Sequence, residues 1–198
     1  MEYTICKAQR SQAEKIASLI MKAMNYDCCQ YFAGDNHTLD DFHRTMTRLV
    51  ERDDSQYSYR NTIVALSPEQ EVIGIATSYD GADLHRLRRA FIDAAKADFG
   101  QDFSNIDDET EAGELYIDSL AVDERYRGKG IATMLLRATI ERGRALGIPA
   151  VGLLVDKGNP LAEKLYSRLG FRFVNDSEWG SHPMKHLQVI HAYQALDL

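Results

Sequence analysis

The chain has 198 residues, 44% of them hydrophobic and 27% charged, a size that suits one domain better than two small ones. Its formal charge of −7, from 23 Lys and Arg against 30 Asp and Glu, argues against a general nucleic-acid binder, whose surface is usually basic. The three cysteines, Cys6, Cys28 and Cys29, lack any C-x-x-C spacing, so neither a disulfide framework nor a zinc site is expected, and reduced thiols in a cytoplasm are the simplest reading.

The opening Met1-Glu2-Tyr3-Thr4 carries no basic segment followed by an apolar run, so no signal peptide is expected. No stretch approaches the ~18 apolar residues of a membrane span. In chain order, residues 2–8 alternate as a first strand, and 12–24 read as a helix with Ala13, Ile16, Leu19, Ile20 and Ala23 on one stripe. Thr38 caps a second helix running to about Asp53, with Asp41 at the capping-box position. Residues 61–66 and 71–78 are strands about the turn at Ser67-Pro68-Glu69. A helix is expected over 83–99, then an acidic loop from Asp102 to Glu111. Next come a strand over 114–122, a helix over 129–146, a strand over 150–155, a helix over 160–169 and a strand over 171–174. A final strand spans roughly 185–193. Alternating strands and helices through the second half predict an α/β sheet with helices on both faces.

The strand Glu114-Leu-Tyr-Ile-Asp-Ser-Leu-Ala-Val122 changes parity, with Leu115 and Ile117 followed by Leu120 and Val122. A side-chain period of two cannot slip without an extra residue, which places a bulge near Asp118 or Ser119; the alternative is a strand buried on both faces. Beyond it lies Asp123-Glu-Arg-Tyr-Arg-Gly-Lys-Gly-Ile-Ala-Thr133. Gly128 and Gly130 allow close backbone approach, and the N–H groups opening the next helix suit a phosphate or pyrophosphate. Arg125, Arg127 and Lys129 oppose the helix dipole unless an anion joins them. Gly128-Lys-Gly130 nearly matches G-x-G-x-x-G, but Thr133 stands at the third glycine and no strand ends in an acid about 20 residues on, which argues against a dinucleotide-binding oxidoreductase.

Arg127-Gly-Lys-Gly130-Ile-Ala132 fits [QR]-x-x-G-x-[GA], and Asn159-Pro-Leu-Ala-Glu-Lys-Leu-Tyr166-Ser-Arg-Leu-Gly170-Phe171 follows at the expected spacing. In both elements the chain resembles the GNAT superfamily of N-acetyltransferases, strongly over 114–174, more weakly over 1–80, and not over about 82–112, an expected insertion. The resemblance implies one domain over 1–198, with a mixed central sheet in which strands 114–122 and 150–155 splay to hold acetyl-CoA. It implies that the backbone of Leu120, Ala121 and Val122 pairs with the pantetheine arm, and that Arg127, Gly128, Lys129, Gly130, Ile131, Ala132 and Thr133 hold the pyrophosphate. A backbone N–H near Leu120 would polarise the thioester carbonyl. Asn159 would cap its helix, touch the cofactor, or do both. Tyr166 would protonate the departing thiolate, or else simply pack the helix on the sheet.

The implied reaction is direct acetyl transfer to a primary amine in a ternary complex, without a metal. The rival is a CoA-binding module without turnover. The amine must lose a proton, and Asp118 is the first choice of base ahead of Glu114, with Tyr116 where some relatives carry a glutamate. A small-molecule or peptide amine would be recognised by residues 25–37, 82–112 and 175–184, the last including Trp179 and His182. The run Asp107-Asp-Glu109 with Glu111 would attract a cationic amine or merely be a solvated loop. Arg86, Arg88 and Arg89 read as a solvent face. No nucleic acid or membrane is expected as partner, and an exposed final strand makes a homodimer one expected state.

Overall fold

The computed structural model describes residues 2–179 and 182–190. Its strands are β1 (Thr4–Lys7), β2 (Thr62–Leu66), β3 (Val72–Asp80), β4 (Glu114–Val122), β5 (Ala150–Asp156), β6 (Arg172–Trp179) and β7 (His182–Ile190). They form one sheet in the order β1-β2-β3-β4-β5-β7-β6. All neighbours are antiparallel except β4 and β5. The helices are α1 (Ala13–Met24), α2 (Tyr26–Ala33), α3 (Leu39–Glu51), α4 (Leu84–Phe99), α5 (Ile131–Ala145) and α6 (Pro160–Arg168).

Three layers follow from alternation. On one face Val64, Leu66, Val72 and Ile75 pack under α1 to α4 through Ile16, Leu19, Phe32, Phe42, Leu49 and Phe91. On the other face Ile63, Ala65, Ile73 and Ala76 meet Ile131 and Leu135 of α5. Farther along, Leu115, Ile117, Val151 and Leu153 meet Leu136, Phe171 and the inner side of α6. Central strands buried on both faces read as continuous apolar runs, as Thr-Ile-Val-Ala-Leu of β2 does. Thr38 accepts from the Asp41 N–H while Asp41 accepts from the Thr38 N–H, the reciprocal box read from the sequence.

Several expectations are corrected. Helix α2 was not expected: Asn25 caps it through Cys28 N, and eight residues with a mixed pattern give little periodic signal. Residues 175–179 and 182–184, expected in a loop, are strand, because β6 runs on to Trp179 and pairs with β7 from His182; residues 180 and 181 of that expected loop lie outside the described residues. The last strand lies between β5 and β6, so the edge on that side is β6 and not the chain's final strand; residues 191–193 of the expected strand lie outside the described residues. Among the described residues no helix is long and apolar enough to cross a membrane.

Candidate active site

Strands β4 and β5 pair only through Glu114 with Ala150, Leu115 with Val151 and Tyr116 with Gly152. Beyond Tyr116, β4 remains paired with β3 as far as Val122, and β5 with β7 as far as Asp156. The facing edges therefore part, and among the described residues the β5-facing edge of β4 over Leu120, Ala121 and Val122 has no strand partner. An extended ligand can take that place by strand addition.

The parity change in β4 has its cause at the point where the cleft opens. Thr77 pairs with Ser119 and Ser78 with Ile117, which leaves Asp118 as the extra residue of a bulge. The bulge keeps Leu115, Ile117, Leu120 and Val122 all on the α5 side. Both readings of this strand hold, since Glu114 to Ile117 are also buried on both faces.

At the far end of β4 the chain turns through Asp123 into the glycine loop. The Asp123 side chain accepts from Arg125 and from Lys15 Nζ at 3.1 Å, bonds that hold its carboxyl far below the usual range against its burial. Arg125 is thereby committed to Asp123, which corrects its place among the free cations of the loop. Arg127 and Lys129 have no carboxylate partner among the described residues. Gly128 and Gly130 have φ of +74° and +79°, left-handed values that favour glycine, and a Cβ on either would meet nothing within 4 Å. Gly130 caps α5 without a side-chain bond, and the first helical bond runs from Met134 N to Gly130 O. Among the described residues, the N–H groups of Gly128 through Thr133 donate to no protein acceptor. Lys129 Nζ lies 4.8 Å over the Tyr126 ring; open space, unpaired donors and two cations without a carboxylate partner fit a pyrophosphate.

Asp118 lies on the α4 side of the sheet. Its Oδ1 accepts from Ser119 Oγ at 2.8 Å and its Oδ2 from Gln56 Nε2 at 3.2 Å. Burial, and then the charge of Glu109, push its carboxyl up to about 7 against the pull of those bonds and of Arg88. A base of that strength is matched to neutral pH. Glu114, the other candidate, is fully buried and held by His186 at 2.8 Å, Gln188 at 2.7 Å and Thr110 at 2.6 Å. Burial would raise its carboxyl, but the three bonds outweigh it and leave it below its ordinary value. With its oxygens occupied and its proton affinity lowered, Glu114 is the poorer base. Tyr116 is buried, and burial together with Glu109 and Asp118 pushes its phenol well up.

From α6, Asn159 accepts from Ala162 N at 3.1 Å, so its capping role is present. Tyr166 is half-buried edge-on to Phe171, with centroids 5.8 Å apart, and burial raises its phenol to about 12. Burial likewise lifts the Cys28 and Cys29 thiols to about 11 and about 12, so neither is a thiolate at neutral pH.

Two readings of charge are corrected. Arg88 is not on a solvent face, and Glu109 is not in a solvated loop: both are buried and paired with each other. Arg88 also donates to Asp108 Oδ1, Ile106 O and Asp107 O, while Tyr79 OH donates to Glu109 Oε1 at 2.9 Å. The signal for Arg88 was local, because it stands four residues after Leu84 and three before Phe91, on the apolar stripe itself. Gln56 was missed altogether. It belongs to the irregular segment after α3 and reaches Asp118 across 62 residues of sequence, a pairing no spacing announces.

The sequence profile of the Acetyltransferase (GNAT) family matches residues 21–171. A solved acetyltransferase superposes with a TM-score of 0.78 at 28% identity, over 94% of this chain and 98% of the other. An N-acetyltransferase from Staphylococcus aureus Mu50 shares the fold, with a TM-score of 0.76 at 24% identity over 94% of this chain and all of that one. The spermine/spermidine N(1)-acetyltransferase of Bacillus subtilis is 33% identical over 72 residues, 36% of this chain and 47% of that protein. The chain spans about half the length of that relative, and less of other curated relatives it matches. The profile match takes in the bulged strand, the glycine loop and the Asn159–Phe171 element alike, and by that match this chain belongs to the Acetyltransferase (GNAT) family.

Proposed function

We propose that this chain is an N-acetyltransferase that moves an acetyl group from acetyl-CoA to a primary amine by direct attack in a ternary complex. The observation that carries this reading is the parting of β4 and β5 beside a bulge whose extra residue is a carboxylate tuned to about 7. Acetyl-CoA supplies the acetyl group as a thioester. The free edge of Leu120, Ala121 and Val122 aligns the pantetheine arm, while the N–H groups from Gly128 to Thr133, with Arg127 and Lys129, neutralise the pyrophosphate. The free side-chain NH2 of Asn159 serves the same ligand. A backbone N–H at the bulge polarises the carbonyl, which gains negative charge as the amine attacks.

Asp118 takes one proton from the attacking nitrogen as the N–C bond forms and the C–S bond breaks. Tyr166 hands its phenolic proton to the departing sulfur, and solvent restores it. The products are an N-acetyl amine and the free thiol of CoA, with protons balanced between Asp118, Tyr166 and water. The protonated state of Cys28 and Cys29 favours direct transfer over a thioacyl intermediate on either. The whole of 1–198 acts as one domain in the cytoplasm, with the exposed edge at β6 the place where two copies would meet.

Thermal unfolding with excess acetyl-CoA tests the donor site. At about 100 times its Kd the ligand adds about 2.7 kcal/mol, a rise on the order of 5–10 °C for a chain this size. The shift is expected to vanish in Gly130→Trp, whose side chain fills the open loop, and amine-dependent thiol release is expected in the native chain. A shift without thiol release for any amine would leave only a CoA-binding module. A shift with NAD(H) alone would overturn the reading.

A further inference from the structure

Acetyl transfer by Asp118 and Tyr166 leaves one buried carboxylate of β4 idle. The Glu114 side chain crosses β5 above Gly152, where any Cβ would collide with it, and so reaches β7. There its Oε2 accepts from His186 Nε2 at 2.8 Å and from Gln188 Nε2 at 2.7 Å, while its Oε1 accepts from Thr110 Oγ1 at 2.6 Å. These bonds hold the carboxyl below its ordinary value despite burial, so it is ionised at neutral pH. An ionised carboxylate can only accept. A neutral His186 therefore keeps its proton on Nε2 and its lone pair on Nδ1. The His186 side chain is 12% exposed, and among the described residues Nδ1 has no hydrogen-bond partner and is not sealed from solvent.

The register puts this imidazole at the opening of the cleft. The last rung between β4 and β5 joins Tyr116 to Gly152. Two residues farther stand Asp118 on β4 and Leu154 on β5, and His186 is the direct partner of Leu154. Leu154 packs with Tyr79, Leu84, Leu87 and Tyr116 on the α4 side. Directly paired residues share a face of the sheet, so His186 stands on that side too. Asp118 and His186 thus flank the opening on one face, one from each bank. Apart from Glu114, the neighbours of His186 on that face are uncharged: Leu154 on β5, under Leu84 and Leu87 of α4, and Asn175 on β6. Asp156, the next residue of β5 on that face, is turned to the Gly158 N–H.

An alkylamine, of pKa about 10, arrives as an ammonium with three protons on nitrogen, and the amide product keeps one. Two protons must leave, and Asp118 takes only the one released as the N–C bond forms. We infer that His186 is a second catalytic base, whose Nδ1 takes the first proton from the bound ammonium, and that Glu114 is the positioning residue that fixes its tautomer and stabilises the imidazolium. The inference rests on the acetyl-transfer reading and adds a step before attack. The ammonium N–H bond breaks, its proton goes to Nδ1, and its electron pair stays on nitrogen to form the N–C bond. After the products leave, His186 and Asp118 each give up a proton. One of these restores the Tyr166 phenol through solvent, and the other is released.

His186→Gln puts an amide N–H where Nε2 donates to Glu114 and removes the basic lone pair. Pentylamine and 2,2-difluoropentylamine share a chain, but the fluorines draw the second ammonium's pKa towards neutrality, so it needs less help to lose its first proton. In thiol release from acetyl-CoA at pH 7, the variant is expected to lose on the order of 100-fold in kcat/KM with pentylamine and less than about threefold with the fluorinated amine. The KM for acetyl-CoA is expected to stay unchanged. With pentylamine the native rate is expected to level off once Asp118 has ionised, at about pH 8. The variant's rate is expected to keep climbing about tenfold per pH unit towards about pH 10, where the amine loses its proton unaided. Equal losses with both amines and parallel pH profiles would show a merely structural His186 and overturn the assignment, as would an unchanged rate. Nitrogen-15 NMR of the native chain needs no variant: a neutral His186 with its proton on Nδ1 would also overturn it. Acetyl-CoA binding with transfer to neither amine would overturn the second base while leaving the donor site intact. No thermal shift with acetyl-CoA and no thiol release from any amine would sink the transfer reading itself.

Discussion

The carboxyl of Asp118 links stability to function in a way that one substitution separates. Its native value of about 7 against an ordinary 3.8 means that the folded chain holds a proton there which the unfolded chain has already released. Between those values the native state binds more protons than the unfolded state, so this group's contribution to stability falls as pH rises through the interval. At 1.36 kcal/mol per pH unit the full penalty above pH 7 is about 4 kcal/mol, and local hydration of a half-buried carboxyl reduces this to about 2 kcal/mol. Asp118→Asn removes the ionisation and keeps the shape. The Gln56 amide can turn over so that Oε1, unpartnered in the native chain, accepts from the new side-chain amide. The variant is therefore expected to gain stability over the native protein from pH 5 to pH 8. About two thirds of the penalty accrues above pH 5, so the gain is about 1.3 kcal/mol, seen as a Tm difference that widens by about 3–5 °C. Acetyl transfer is expected to fall roughly 100- to 10,000-fold. Thermal unfolding of both proteins at the two pH values, with thiol release at pH 8, makes the measurement. A Tm difference independent of pH would refute the burial argument, and full activity in the variant would refute the base.

Tyr166→Phe is expected to lower kcat about 10- to 100-fold with little change in acetyl-CoA affinity, read by steady-state kinetics and ligand-induced thermal shift. Because burial lifts this phenol to about 12, the native rate is expected to show no alkaline decline from Tyr166 below about pH 11. Gly152→Ala would drive a Cβ into the Glu114 carboxylate, which three hydrogen bonds hold in place. A loss of about 3 kcal/mol is expected by urea unfolding, and an unchanged midpoint would show that Glu114 moves freely.

What the sequence made legible was periodic or contiguous. The parity change over Leu115, Ile117, Leu120 and Val122 placed a bulge near Asp118 or Ser119, and the β3–β4 register puts it at Asp118. The anion site proposed at Arg127 to Thr133 rests on neighbours in the chain. The surroundings of Asp118 were illegible for the converse reason. Gln56, Arg88, Glu109 and Asp118 come from four separate segments, and their meaning is set by burial that no single segment fixes. Glu109 reads as one acid in an acidic run until Arg88, 21 residues earlier, is found beneath it. Helix α2 escaped because its cap, Asn25, works from a positive φ of 67°, and its eight residues complete little more than two turns.

The three-residue pairing of β4 with β5 is also a seam in the molecule. On one side lies an antiparallel block of β1 to β4, on the other the block of β5, β7 and β6, with α5 packed across both. On the proposed binding mode, a donor lying along the free edge of β4 would supply rungs that the protein omits, so the interactions that capture it would also fasten one block to the other. Cohesion would then be borrowed from the substrate, and would be lost when the spent thiol leaves, leaving the three β4–β5 pairs and α5 to join the blocks.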